Sequence, residues 1–210
     1  MKLGLISDIH GDALALELAW AHLTVLGADR IVCAGDLVGY GPHPDRVIGF
    51  VREHKIDSVR GNHDRWAIER SRGLPGVPST FGGGMPSAES VAYLETLPED
   101  LLVDDGPGNV GVIVHGSPGD DLDFVTRKTH TPGKLRHWLK KMGANLLVVG
   151  HTHQPMWYGC PDGIVINPGS VISAPVVSTS RTFALLDWAE GSVTFHDVES
   201  GEAKEIRPWI

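Results

Sequence analysis

Five short apolar runs set the frame of this chain: KLGLIS (2–7), RIVCAG (30–35), DSVRG (57–61), VGVIVHG (110–116) and NLLVVG (145–150). Each has the length of a buried strand, and patterns of helical period lie between them. Residues 12–26 carry Leu14, Leu18, Ala21 and Val25 at helical spacing, with Gly27 placed to end the helix. Residues 45–54 offer Val47, Ile48 and Val51 as a shorter apolar face. Ser87 reads as the N-cap of a helix over 87–97 with Val91, Leu94 and Leu97 on one side. Thr131-Pro132 reads as N-cap and first helical residue ahead of Leu135, Trp138, Leu139 and Met142, with Gly143 at the end. Strand alternating with helix predicts an α/β layered architecture. The last quarter changes character. GIVINPGS, TFALLDW and SVTFHDVE read as strands, the last two joined by the hairpin-length turn AEGS, so this part is expected to be mostly antiparallel. No internal repeat or linker interrupts the pattern, and residues 1–210 are expected to form one domain.

The formal net charge of -8 argues against a protein built to grip duplex DNA or RNA, because that binding rests on neutralising phosphates with Lys and Arg. No extended nucleic-acid surface is expected. Two cysteines, Cys33 and Cys160, make neither a disulfide framework nor a thiolate zinc site, and Cys33 reads as a small buried hydrophobe. No run approaches the roughly 20 apolar residues of a membrane span. A cytoplasmic enzyme or binding protein without a membrane partner is the expectation. SRGLPGVPSTFGGGMP (71–86) has no periodicity and reads as a long surface loop, or as a flap beside a site. Oligomeric state is not legible at this level.

The residues directly after each apolar run carry the chemistry. Asp8-Ile9-His10 comes after the first, Gly35-Asp36 after the second and Gly61-Asn62-His63-Asp64 after the third. The fourth ends in His115-Gly116 and the fifth in Gly150-His151-Thr152-His153. In open α/β sheets the carboxyl ends of strands share one edge, where ligands bind. Carboxylate oxygens and imidazole nitrogens suit hard to borderline divalent cations, and there are donors enough for two ions. Two ions about 3.5–4 Å apart suit in-line displacement at phosphorus. One carboxylate must then bridge them, and Asp36, alone on its strand end, is the natural candidate.

In this order the motifs resemble those of the calcineurin-like metallophosphoesterase superfamily: Asp-x-His, Gly-Asp, Gly-Asn-His-Asp, His and Gly-His-x-His. INPGS (166–170) resembles a further segment of its small bacterial and archaeal phosphodiesterase branch. The resemblance implies a four-layer α/β/β/α sandwich, an α/β (α+β) fold of two mixed sheets flanked by helices. It implies that Asp8, His10, Asp36 and His153 hold one metal, and that Asp36, Asn62, His115 and His151 hold the other. The ions would be Mn, Fe, Ni, Zn, Co or Mg. A metal-bridging hydroxide would attack a phosphoester substrate, with His63 protonating the leaving oxygen or stabilising the transition state. Asp64 is a candidate partner of His63.

One departure bears on the substrate. Protein serine/threonine phosphatases of the superfamily carry Gly-Asp-x-x-Asp-Arg-Gly at the second motif, whereas this chain reads GDLVGYG (35–41). Gly39 and Tyr40 stand where those enzymes have the Asp that orients the histidine and the Arg that binds phosphate. A small or nucleotide-like phosphoester is expected instead of a phosphoprotein. Tyr40, His43 and Arg127 are candidate substrate contacts. The competing readings are a non-catalytic interaction protein on the same fold, as in the retromer subunit that resembles these phosphodiesterases, and a nuclease. Retention of His63 with the ligands favours an enzyme, and the acidic charge gives no basic track.

Overall fold

A computed structural model describes residues 1–78, 83–172 and 181–209. In chain order the elements are β1 (Lys2–Ile6), α1 (Ala13–Val25), β2 (Arg30–Cys33), α2 (Pro44–Glu53), β3 (Asp57–Ser58), α3 (Asn62–Ser71), α4 (Ala88–Thr96), β4 (Asp100–Asp104), β5 (Val110–Val114), α5 (Pro132–Met142), β6 (Leu146–Val148), β7 (Met156–Cys160), β8 (Gly163–Asn167), β9 (Thr182–Asp187), β10 (Ser192–Asp197) and β11 (Ala203–Lys204). One sheet runs β11-β10-β9-β1-β2-β3 and the other β4-β5-β6-β8-β7. Both are mixed. β1, β2 and β3 are parallel in the first, and β5, β6 and β8 in the second.

The period of two along each strand separates three cores. Leu3 and Leu5 of β1 face Ile113, Leu146, Val148 and Ile166 of the other sheet, and these residues form the layer between the sheets. Ile6 and Cys33 point the other way, toward Leu16, Leu23, Val47, Val51 and Leu94 of the helices. On the far side Val112, Val114, Leu147 and Val165 bury Leu135, Trp138 and Leu139 of α5. Three apolar interfaces make four layers, the expected α/β/β/α sandwich.

Most of the expected helices form with the expected caps. Ser87 and Thr131 each accept a backbone N–H at a helix N-terminus, from Ser90 and Lys134. Gly143 takes the left-handed conformation that ends α5. The phase expected for α1 is wrong. Leu14 is 63% exposed and Val25 87%, while Ala13, Leu16, Ala19 and Leu23 are buried. ALALELAWAHLTV is apolar nearly all round, so its sequence does not select a face, and the contact with β1 and α2 does. α3, β4 and β7 lie where no regular element was expected. The C-terminal part is antiparallel apart from the parallel pairing of β8 with β6.

Within the expected 71–86 loop, residues 79–82 lie outside the described residues. On their far side, the Gly84 N–H donates to the Gly41 carbonyl at 3.0 Å. The end of this loop is thereby fixed onto the turn that carries Tyr40.

Candidate metal centre

The five strand ends converge. The Gly150 N–H donates to the His115 carbonyl at 2.7 Å, joining two ends within one sheet. The His151 N–H donates to Asp8 Oδ2 at 3.1 Å, joining one sheet to the other. Asp8, His10 and His153 offer ligand atoms all within 4.8 Å of one another; so do Asp36, His115 and His151, and so do His10, Asp36 and His63. His10 and Asp36 therefore lie at the centre, and Asp36 belongs to two of the groups. His151 and His153, one residue apart, fall into different groups.

The backbone here is strained. Among the described residues, six non-glycine positions have positive φ: Asp8, His10, Asp36, Lys55, His151 and His153. All but Lys55 are candidate ligands. Each such conformation costs of order 1–3 kcal/mol and persists only where the surroundings over-determine it. The surroundings do so through buried hydrogen bonds. Ser7 Oγ donates to Asp8 Oδ2 at 2.6 Å. Ser170 Oγ donates to the Asp8 carbonyl at 3.0 Å. Asn167 Nδ2 donates to the Gly150 carbonyl at 2.7 Å and to Thr152 Oγ1 at 3.0 Å, while its Oδ1 accepts from the Gly169 N–H at 2.9 Å. The asparagine and serine of INPGS thus brace the ligand turns. Sequence reading placed the segment but not this role.

Lone pairs point inward. His115 Nδ1 lies 2.7 Å from the Ala34 carbonyl and can only donate there. In the neutral ring Nε2 then carries a lone pair, and it faces Asn62 Oδ1 at 2.9 Å and Asp36 Oδ2 at 3.3 Å. His10 repeats the pattern. Its Nδ1 meets the Val38 carbonyl at 3.2 Å, and its Nε2 lies 3.0 Å from His153 Nε2, 3.6 Å from Asp36 Oδ2 and 3.7 Å from Asp8 Oδ1. His153 Nε2 is 3.3 Å from Asp8 Oδ1. Among the described residues, His151 Nε2 and Asp8 Oδ1 are buried with no hydrogen-bond partner. Acceptors crowded in a buried site need a positive charge between them, either protons or cations.

The electrostatics show which groups take protons in the bare protein. Burial holds His10 down to about 3 against the pull of Asp36 and Asp8, so its ring is neutral. Burial would also lower His115, but the Asp36 carboxylate outweighs it and raises the ring to about 10. Burial would raise Asp8, yet His153 beside it holds the carboxyl at about 2. Asp36, opposed by burial but facing His115 and His10, lies well below the usual carboxylate range. Both aspartates are therefore anions at neutral pH. A donor set of two carboxylates, four imidazoles and one amide oxygen suits divalent first-row transition cations better than Mg, which favours all-oxygen ligands.

His63 and its neighbours complete the site. The His63 N–H donates to Asp36 Oδ1 at 2.8 Å. Its ring, 4% exposed, packs 4.7 Å from His10, 4.8 Å from Tyr40 and 4.8 Å from Trp66, centroid to centroid. Gly39, at φ 148°, makes room for this: a Cβ there would strike His10 Nδ1 and come within 2.9 Å of His63 Nδ1. Gly61 allows a similar approach, since a Cβ on it would collide with Asp36 Oδ1.

The other expected residues fall differently. Tyr40 belongs to the site, 4.5 Å from the His10 ring. Asp64, expected beside the chemistry, turns its carboxylate to the backbone: Oδ1 accepts from the Val38 N–H and Oδ2 from the Gly61 N–H, both at 3.0 Å. It caps α3 and ties the Gly61 turn to the Val38 turn. His43 is exposed at the N-cap of α2. Arg127 is exposed, with its guanidinium on the Arg207 carbonyl at 2.7 Å. Phe124, which sequence reading passed over, lies 4.4 Å from the His151 ring.

Comparison with known proteins gives the family. A probable metallophosphoesterase of Methanothermobacter thermautotrophicus is 26% identical over 174 residues, covering 81% of this chain and 77% of that protein. The crystal structure of a metallophosphoesterase from Sphaerobacter thermophilus superposes with a TM-score of 0.71 at 29% identity, over 95% of this chain and 89% of the other. A hypothetical protein from Pyrococcus horikoshii shares the fold, with a TM-score of 0.78 at 23% identity over 94% of this chain and 88% of its own. The family model described as the calcineurin-like phosphoesterase superfamily domain matches residues 1–191. Since that match takes in every candidate ligand and nearly the whole fold, the chain belongs to the calcineurin-like phosphoesterase superfamily.

Proposed function

We propose that this protein hydrolyses a small or nucleotide-like phosphoester at a two-metal centre. The observation that carries the reading is the convergence of buried acceptor atoms from five strand ends, held on strained backbone by Ser7, Asn167 and Ser170. Asp8, His10, Asp36 and His153 would hold one ion, and Asp36, Asn62, His115 and His151 the other, with Asp36 shared. Two bound divalent cations would supply a water deprotonated near neutral pH and positive charge at the phosphoryl oxygens.

The protein's own residues supply the rest. The two carboxylates carry a charge of -2 and the other ligands would be neutral once cations replace their protons, so two divalent ions with one hydroxide would leave about +1 to meet a phosphoester anion. The side-chain–backbone bonds to Ala34 and Val38 fix the tautomers of His115 and His10, keeping both Nε2 atoms available as ligands. His63 stands beside His10 and Asp36, where its imidazole can donate a proton to the leaving oxygen. Tyr40 and Trp66 pack on His63 and hold its ring in place. Asp64 acts at one remove, by clamping the Gly61 turn, which presents Asn62 and His63, to the Val38 turn, whose carbonyl meets His10 Nδ1.

Substitution of His63 tests the division of labour. His63→Ala is expected to keep its metals and lose turnover by about 10²–10⁴-fold. Loss of the metals together with turnover would make His63 a ligand and refute its assignment as the proton donor.

A further inference from the structure

We infer that Phe124 is a platform on which a flat aromatic group of the substrate, such as a nucleobase, stacks while its phosphate occupies the metal centre. This inference rests on the phosphoesterase reading above and specifies its substrate class.

Phe124 is 51% exposed, yet its ring lies 4.4 Å from His151, at an interplanar angle of 56°. The ring thus abuts a candidate metal ligand while about half of the residue is exposed. Leu122, two residues earlier, is 46% exposed. The loop that presents them is fastened at several points. Asp121 takes both Nε and Nη2 of Arg65 on α3, at 2.8 and 3.1 Å. Asp123 lies 3.1 Å from His130, and the Phe124 carbonyl accepts the Thr129 hydroxyl. Val125 is 2% exposed and anchors the chain into the core under α5. Ser117 and Asp120 bond each other's backbone at 2.8 and 3.0 Å.

An open aromatic ring on a braced loop has already lost the freedom that binding would otherwise take from it. Stacking recognises a π-face and is tolerant of which base supplies it. A ring joined to the phosphate through a few bonds reaches Phe124, because the platform abuts His151. Tyr40 borders the other group of the cluster, over His10, so the two aromatic residues flank the centre.

Calorimetric titration of the Mn-loaded full chain with AMP and with ribose 5-phosphate tests this, since the two share the phosphate and differ by the base. AMP is expected to bind about tenfold more tightly. The preference should fall to about twofold or less in Phe124→Ala and return in Phe124→Trp. Equal affinities in the unsubstituted protein, or an undiminished preference in Phe124→Ala, would overturn the platform while leaving the phosphoesterase reading in place. Binding of neither compound to the metal-loaded protein would also overturn the platform, while the phosphoesterase reading would stand or fall on hydrolysis of bis(p-nitrophenyl) phosphate by the same metal-loaded sample.

Discussion

Asn167 offers the sharpest probe of how the ligands are held. Its side chain is fully buried and bonds three groups at once: the Gly150 carbonyl, the Thr152 hydroxyl and the Gly169 N–H. In Asn167→Ala the Gly169 N–H loses its acceptor, and a buried donor left unpaired costs about 1–3 kcal/mol. The Gly150 carbonyl keeps the Thr152 N–H at 2.7 Å, so it is not stranded. A small cavity adds to the cost, and about 2–3 kcal/mol is expected in all. For a chain of 210 residues each 1 kcal/mol moves Tm by about 2–4 °C, giving a fall of about 4–12 °C. A second consequence is specific to the site. His151 and His153, at φ 63° and 57°, are held in left-handed conformations by this turn. Once it relaxes, metal binding must restore them, at about 1–3 kcal/mol per residue, which is a loss of tenfold or more in metal affinity. Differential scanning calorimetry with and without Mn, together with a competitive chelator titration, reads both effects. A Tm within 1 °C of the parent and a metal Kd within twofold would refute the bracing role.

The same contacts set three other expectations. Gly39→Asp, which restores the residue of the protein phosphatases, should abolish activity and lower metal affinity, because its Cβ meets His10 and His63; a gain in turnover would refute that packing. Asp64→Ala should lower Tm and metal content together by freeing the Val38 and Gly61 amides, whereas lost turnover with both intact would assign the carboxylate to the chemistry. Burial would raise Asp197, but Lys204 at 2.7 Å and the amides of Glu199 and Ser200 hold it at about 2. A depressed carboxyl stabilises the fold above its unfolded value of 3.8 and loses that contribution as pH falls through about 2. Discounted for its exposure, Asp197→Asn should cost about 1 kcal/mol in urea melts at pH 7 and less at pH 3; an equal cost at both would refute the assignment.

The strand ends were legible because five apolar runs of like pattern each stop at an unlike residue: Asp, Asn or His. The layered fold was legible from the same alternation. The burial phase of α1 was not, since Leu14 and Val25 are as apolar as Leu16 and Leu23 and only the neighbouring elements distinguish them. α3 escaped because NHDRWAIERS has no apolar stripe, and it buries His63 and Asp64 alongside Ala67 and Ile68. β4 and β7 are edge strands, and β4 buries only Val103, leaving a weak period. The left-handed ligands gave no signal, because only glycine advertises positive φ in a sequence. Ser170 acts on a backbone carbonyl 162 residues away and Asn167 on one 17 residues away, and no local pattern marks either.

The central claim is a two-ion centre that turns over phosphoesters. Metal-free protein titrated with Mn, Fe, Co, Ni, Zn or Mg, with bound metal per chain and hydrolysis followed in the same samples, tests it most directly. Bis(p-nitrophenyl) phosphate and p-nitrophenyl phosphate serve as the two esters. The expected result is saturation at two ions per chain, with hydrolysis of at least one ester appearing as the second equivalent binds. Two ions bound with no hydrolysis of either ester under any metal, or saturation at a single ion, would contradict it.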